Sequence, residues 1–256
     1  MKTRLDKLLV DRGLTQSRER AQALILAGKV LVNEQKIEKA GASVDSGSTL
    51  RLLGDDLRYV SRGGLKLEKA LDHWHIDLHD KVCLDIGAST GGFSDCMLQH
   101  GAAKVIAVDT GYGQMDFGLR NHPRLRLLEK TNARYLVPSD IGEPIDFIAM
   151  DVSFISATLV LPAVLRAVAS YAKSTREIVC QIVVLVKPQF EAGRELVGKG
   201  GIVRDEAAQQ GAVARVEASL LELGCKGTEA IESPILGGEG NREFLLHAEF
   251  SPPVTG

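Results

Sequence analysis

The sequence predicts an α/β fold: a mostly parallel seven-stranded sheet with an antiparallel last strand, preceded by a small α+β module. Three observations carry this. From about residue 61 onward, short apolar runs alternate with segments of helical periodicity, as in strands joined by crossover helices. The last apolar run, 244–248, follows a loop holding Gly237, Gly238 and Gly240, with no room for a crossover helix, so it should run antiparallel to its neighbour. Charge divides along the chain as well: residues 1–60 carry a net +3 and the remainder a net −5.

The elements follow in order. Leu5, Leu8 and Leu9 recur at i, i+3 and i+4, one face of a helix that Gly13 ends. Ser17 caps a second helix with the apolar face Ala21, Leu24 and Ile25, and Gly28 stops it. Residues 30–33 read as a short strand entering a polar turn. Val44 and 49–53 supply further strands, with Gly47 as the break between them and Gly54-Asp55-Asp56 as a linker. A helix covers about 64–75, with Leu67, Leu71 and Trp74 on one face. Strands are expected at 82–86, 105–108, 125–128, 147–150, 178–186, 226–231 and 244–248, and helices at about 91–100, 157–172 and 204–223.

Composition narrows the function classes. Hydrophobic residues are 45% and charged residues 25% of the 256, the balance of an ordinary globular protein. No apolar run approaches the roughly 18–20 residues that span a bilayer, and the segment Met1-Lys2-Thr3-Arg4-Leu5-Asp6 lacks the apolar stretch of a signal peptide. Cys83, Cys96, Cys180 and Cys225 are scattered without a CxxC pair, which argues against a zinc ribbon or disulfide scaffold and for reduced thiols in the cytoplasm. The six histidines show no metal-ligand spacing, and no metal is expected. No G-x-S-x-G elbow occurs, against a serine hydrolase. The basic first sixty residues suit a nucleic-acid-facing module, although a solvated face explains the same charge.

Chemistry concentrates at strand ends. Asp85-Ile86-Gly87-Ala88-Ser89-Thr90-Gly91-Gly92-Phe93 closes a strand and opens a helix, where small residues and free N–H groups admit a ligand. It is neither G-x-G-x-x-G nor a P-loop. Asp109, twenty-four residues after Asp85, ends the next strand, where a carboxylate accepts both hydroxyls of a ribose. The turn and the acid suit NAD or S-adenosylmethionine, and the D-x-G start without a pyrophosphate fingerprint favours the latter. Asn132 could meet the adenine edge or be an ordinary loop residue. Asp151 ends the fourth strand, Lys187 the fifth, and Glu243 opens the antiparallel last one, so all three should converge on one cleft beside the glycine-rich turn. Lys187 follows six mostly apolar residues, costly unless paired or used. Spacing does not choose between Lys66 and Lys69 as a fourth member.

At these residues the chain resembles known families. Residues 1–53, with Arg4-Leu5-Asp6-Lys7-Leu8-Leu9, Ser17-Arg18, Ala27-Gly28-Lys29-Val30 and Val32-Asn33, resemble an S4 domain, a small RNA-binding module. Residues 60–250 resemble the RrmJ/FtsJ-like methyltransferases, a Rossmann-like class I fold with a Lys-Asp-Lys-Glu tetrad. The order of the two is that of the TlyA family, which also carries the name hemolysin A. Its signatures match at Ser61-Arg62-Gly63-Gly64-Leu65-Lys66-Leu67, 85–95, 151–156, 186–205 and 233–245.

The resemblance maps the tetrad onto Lys66, Asp151, Lys187 and Glu243, taking Lys66 over Lys69. It implies an S-adenosylmethionine-dependent enzyme methylating a ribose 2′-OH, of cytidine, in ribosomal RNA or a ribosomal subunit. Domains are expected at 1–54 and 61–251, with a linker at 55–60. Asp85, Gly87, Ala88, Ser89, Gly91 and Gly92 would hold the methionine end of the cofactor, Asp109 its ribose and Asn132 its adenine, with Asp151 alongside. Arg4, Lys7, Arg18, Arg20, Lys29 and Arg62 would take RNA, mainly at phosphates. The rivals are a membrane-active hemolysin, opposed by the absence of an apolar span, and a non-catalytic RNA-binding protein, opposed by the intact Asp151, Lys187 and Glu243.

Overall fold

The computed structural model describes residues 2–15, 17–53, 58–171, 179–237 and 240–251. Two compact units emerge, Met1–Arg58 and Tyr59–Gly256. Residues 55–57 of the expected linker lie outside the described residues.

In the first unit, strand β1 (Lys2–Arg4) leads into helix α1 (Leu5–Asp11), which buries Leu5, Leu8 and Leu9. Helix α2 (Arg18–Leu26) starts where Ser17 Oγ accepts from Arg20 N at 3.2 Å, and buries Ala21, Leu24 and Ile25 against α1. Strands β2 (Val30–Val32), β3 (Gln35–Lys36) and β5 (Leu50–Leu52) form an antiparallel sheet centred on β2, while β4 (Ser43–Asp45) pairs with β1. Neither β1 nor β3 was expected. Lys-Thr-Arg and Gln-Lys are too short and polar to show alternation; pairing with apolar neighbours makes them strands.

The second unit is one sheet of seven strands: β6 (Val82–Ile86), β7 (Lys104–Val108), β8 (Leu125–Leu128), β9 (Phe147–Met150), β10 (Cys180–Val186), β11 (Lys226–Glu232) and β12 (Phe244–Phe250), in the order β11-β12-β10-β9-β6-β7-β8. Strand β12 is antiparallel to both neighbours, as the short glycine-rich connection requires. Residue 178 of the expected fifth strand lies outside the described residues.

Alternate residues point to opposite faces. On β9, Phe147 and Ala149 join one core and Ile148 and Met150 the other. Helices α3 (Gly63–His73) and α4 (Gly92–Gln99) bury Leu67, Leu71, Phe93 and Met97 on the first face. Short helices α5 (Phe117–Arg120) and α6 (Pro138–Ile141) interrupt the connections on either side of β8. Helix α7 (Leu161–Ala169) covers the second face, together with α9 (Glu206–Glu222), which follows the single turn α8 (Pro188–Glu191). The expected helix at 157–172 is thus shorter. Its start is a separate 3-10 turn, Ala157–Leu159, because Pro162 has no N–H to continue a helix and fits only the first turn of α7. Residues 172–178 lie outside the described residues. The order reverses between β6 and β9, and ligands bind at such a switch, beyond the carboxyl ends of the strands.

Candidate active site

The chain leaves β6 through Gly87 (φ +86°), Ser89 (φ +48°) and Gly91 (φ +95°) before α4 begins. A side chain at Gly87 would run into the backbone oxygen of Asp151, so glycine lets the exits of β6 and β9 touch. One at Gly92 would strike Ser61 Oγ, so the start of α4 abuts the start of α3. Asp109, at the exit of β7, braces this turn: Oδ2 accepts from Ser89 N at 2.7 Å and Oδ1 from Gly111 N at 2.6 Å.

Three clefts open around the switch. One, of about 410 Å3, is lined by Gly87, Ser89, Asp109, Asn132 and Asp151. A second, of about 240 Å3, shares Gly87, Ser89 and Asp151 and adds Arg62, Lys66, Ala88 and Gly92. The third, of about 380 Å3, holds Lys187, Phe190 and Glu243, and shares Ser153 and Phe154 with the first.

Four charged side chains from four elements meet these clefts as two pairs. Lys66, on the first turn of α3, is buried and donates from Nζ to Glu243 Oε2, at the threshold of β12. Lys187 Nζ, just beyond β10, lies 2.5 Å from Asp151 Oδ1, too obliquely for a hydrogen bond, and donates to Ser153 Oγ at 2.7 Å. Asp151 follows β9 directly, and its N–H donates to Ile86 O at 2.8 Å, which ties it to the glycine turn. Lys69, one turn along α3, is exposed.

The other expected residues divide. Arg62 stands exposed at the mouth of the second cleft. Asn132 lines the first cleft, with its Oδ1 accepting from Arg134 N at 3.1 Å. Asp85 is beneath the turn rather than in a cleft: it is fully buried, Oδ2 accepts from Ser94 Oγ at 2.6 Å, and Oδ1 is unpartnered. Burial, with a smaller push from the Asp151 charge, raises its carboxyl to about 7. In the first unit Arg4, Lys7, Arg18 and Lys29 are exposed and Arg20 is half-buried.

A family model described as FtsJ-like methyltransferase matches residues 59–250, three quarters of the chain. The chain belongs to the FtsJ-like methyltransferase family. An S4 domain model matches residues 3–50. Among curated relatives, the Bacillus subtilis protein YqxC, provisionally described as an rRNA methyltransferase, is 49% identical over 96% of this chain and 85% of its own. The 16S/23S rRNA (cytidine-2′-O)-methyltransferase TlyA of Mycobacterium tuberculosis is 43% identical over 96% and 89%. A solved structure from Streptococcus thermophilus, provisionally described as a hemolysin, is 44% identical, with a TM-score of 0.72 over 98% of this chain and 89% of that one.

An FtsJ-like methyltransferase draws its methyl group from S-adenosylmethionine, and the residues here fit that group. Gly87 and Ser89, both left-handed, line two of the clefts, joined in the second by Ala88 and Gly92, where small residues let a ligand approach the backbone. Asp109 keeps acceptor capacity beside the same cleft after receiving its two backbone N–H groups.

Three further residues of this FtsJ-like site escaped the sequence reading. Ser153 receives Lys187. Phe154, 91% exposed at φ +63°, stands 5.2 Å from Phe190, centroid to centroid, at the third cleft. Glu191, on α8, is buried, and accepts from Ala157 N at 2.7 Å and Ser156 Oγ at 2.5 Å, joining the loop after β9 to the one after β10. Burial raises the Glu191 carboxyl. An aromatic inside Asp151-Val152-Ser153-Phe154 was the available signal, since aromatics are only 5% of the chain. Glu191 had none, because its partners are 34 and 35 residues away.

Proposed function

We propose that this chain is an S-adenosylmethionine-dependent ribosomal RNA methyltransferase acting on a ribose 2′-OH, that of cytidine. The observation that carries the reading is the Asp151–Lys187–Ser153 contact, where the cleft bordered by Asp109 meets the one bordered by Phe154 and Phe190. Relatives named for cytidine 2′-O-methylation of 16S/23S rRNA support the substrate class.

Gly87, Ala88, Ser89, Gly91 and Gly92 hold the methionine end of the cofactor, Asp109 its ribose and Asn132 its adenine edge. The cofactor supplies an electrophilic methyl group on a sulfonium leaving group. A ribose hydroxyl is a poor nucleophile at neutral pH. Lys187 Nζ, held by Asp151 and Ser153, places a positive charge where the hydroxyl oxygen becomes negative, and such preorganised charge acts mainly on the transition state. Lys66 lines the second cleft and Glu243 the third, and the two neutralise one another. Phe154 and Phe190 offer aromatic faces for a base taken out of its stack.

Residues 61–251 form the catalytic domain. Residues 1–54 capture RNA through Arg4, Lys7, Arg18, Arg20 and Lys29, and Arg62 adds a phosphate contact at the cleft mouth. The work is cytoplasmic, where ribosomes and reduced thiols coexist; Cys83, Cys96, Cys180 and Cys225 are all buried and none forms a disulfide. Among the described residues no helix is long and apolar enough to cross a membrane.

The test is transfer of tritium from methyl-labelled cofactor to ribosomal RNA, as naked RNA and as separate subunits, with nucleoside analysis of the product. Label in 2′-O-methylcytidine supports the proposal. Label on a base, or none beside measurable lysis of erythrocytes, overturns it.

A further inference from the structure

In the first unit a single carboxylate sits at a crossing of cations. Asp6 is fully buried at the start of α1. Arg4 reaches it with Nε to Oδ1 at 3.0 Å and Nη2 to Oδ2 at 2.7 Å; Arg18, on the first turn of α2, adds Nη2 to Oδ2 at 3.1 Å. Gln22 Nε2 donates to the same Oδ2 at 2.8 Å, and Lys7 N to Oδ1 at 2.8 Å. The side chains of Arg4 and Arg18 are nevertheless about half exposed, at 53% and 51%, while Asp6 shows none of its surface.

Arg12 and Arg51 of the same unit are placed differently. Arg12 is spent on the backbone oxygens of Ser46 and Ser48, and Arg51 on Glu34. Arg4 and Arg18 instead converge on one oxygen from two different elements. A guanidinium has five N–H donors, and Asp6 takes two from Arg4 and one from Arg18, so both keep remaining donors on half-exposed side chains anchored at one carboxylate. The donors left on two guanidiniums anchored at one carboxylate suit the oxygens of a phosphodiester, which favours arginine contacts.

We propose that Arg4 and Arg18 form one phosphodiester-binding site and that Asp6 is its positioning residue, holding both guanidiniums in place before RNA arrives. This rests on the RNA-binding reading of the first unit. The ordering of two long side chains is then complete in the free protein and is not charged against binding. The Arg4 guanidinium in particular holds the Asp6 carboxyl well below the usual range, so the anchor keeps its charge at every pH where the RNA is intact.

The test exploits a difference of sign. Asp6→Asn raises the net charge by one, so simple attraction to RNA predicts tighter binding, whereas loss of positioning predicts weaker binding. Affinity for a ribosomal RNA fragment is measured on the full chain across a salt series, with thermal unfolding recorded in parallel. Arg4→Ala and Arg18→Ala should each weaken binding about tenfold and flatten the salt slope by roughly one contact. Asp6→Asn should weaken it about three- to tenfold, as for a lost preorganised contact. Should Asp6→Asn unfold, Arg18→Lys decides the matter: it keeps the charge and loses the fork, and it should weaken binding nearly as much as Arg18→Ala. Unchanged or tighter binding by folded Asp6→Asn overturns the positioning while the arginine contacts stand, and wild-type affinity in Arg18→Lys overturns the two-guanidinium site itself. Unchanged affinity in Arg4→Ala/Arg18→Ala overturns the RNA reading of this surface, and the proposal with it.

Discussion

Lys66 and Glu243, 177 residues apart in the chain, form a buried ion pair that joins the first turn of α3 to the threshold of β12. Neither side chain exposes more than a tenth of its surface. Removing one partner of such a pair leaves an uncompensated buried charge, which costs about 3–5 kcal/mol. Lys66→Ala should therefore lower both stability and methyl transfer. Lys69→Ala, an exposed neighbour on the same helix, should do neither. Chemical denaturation followed at Trp74, the single tryptophan, together with label transfer separates them; equal losses in both variants would contradict the pairing.

Lys187 is expected to act on charge that develops only in the transition state. Lys187→Ala should cut turnover by about 10²–10³-fold with little change in RNA or cofactor affinity. Asp151→Ala should be comparably severe, since it leaves the ammonium without its carboxylate. Single-turnover rates at saturating RNA and cofactor are the measurement, and near-normal turnover in Lys187→Ala would remove the lysine from the mechanism.

Asp109 braces the turn through Ser89 N and Gly111 N, and in the proposed function it also accepts from the cofactor ribose. Asp109→Ala should weaken binding of S-adenosylmethionine or its demethylated product by about 1.5–3 kcal/mol, the range for hydrogen bonds to a charged group. Calorimetry that finds unchanged cofactor affinity, or tight NAD binding in the wild type, would refute the assignment.

Asp85 makes stability depend on pH. Its carboxyl is raised from 3.8 to about 7 in the folded chain by burial, so the folded state holds a proton that the unfolded chain releases. Between about pH 4 and pH 7 stability should fall as pH rises, by on the order of 4 kcal/mol in total, and level off above that window. Asp85→Asn carries no titrating group and should flatten the slope. Denaturant titrations from pH 4.5 to 8 provide the comparison; parallel slopes in variant and wild type would show that Asp85 does not titrate there.

Much of this molecule was legible in its residues because the signals are local. Strand β6 and the turn after it announce themselves through an apolar run followed by small residues, and β12 had to be antiparallel because no helix fits in the loop before it. The strand-end positions of Asp151, Lys187 and Glu243 follow from that topology alone. What periodicity could not decide was which lysine of α3 matters, since Lys66 and Lys69 lie near one helix face; the resemblance selected Lys66. Only packing supplies the physical difference, burying Lys66 against Glu243 and leaving Lys69 in water. Asp85 shows the converse: its place in the motif suggested a cofactor contact, but the pleat turns its side chain beneath the turn to Ser94. Ser153, Glu191 and the Asp6 crossing were invisible for the same reason. Their roles are set by donors and acceptors from other elements, and a linear sequence records a side chain's chemistry but not which distant group will meet it when the backbone closes.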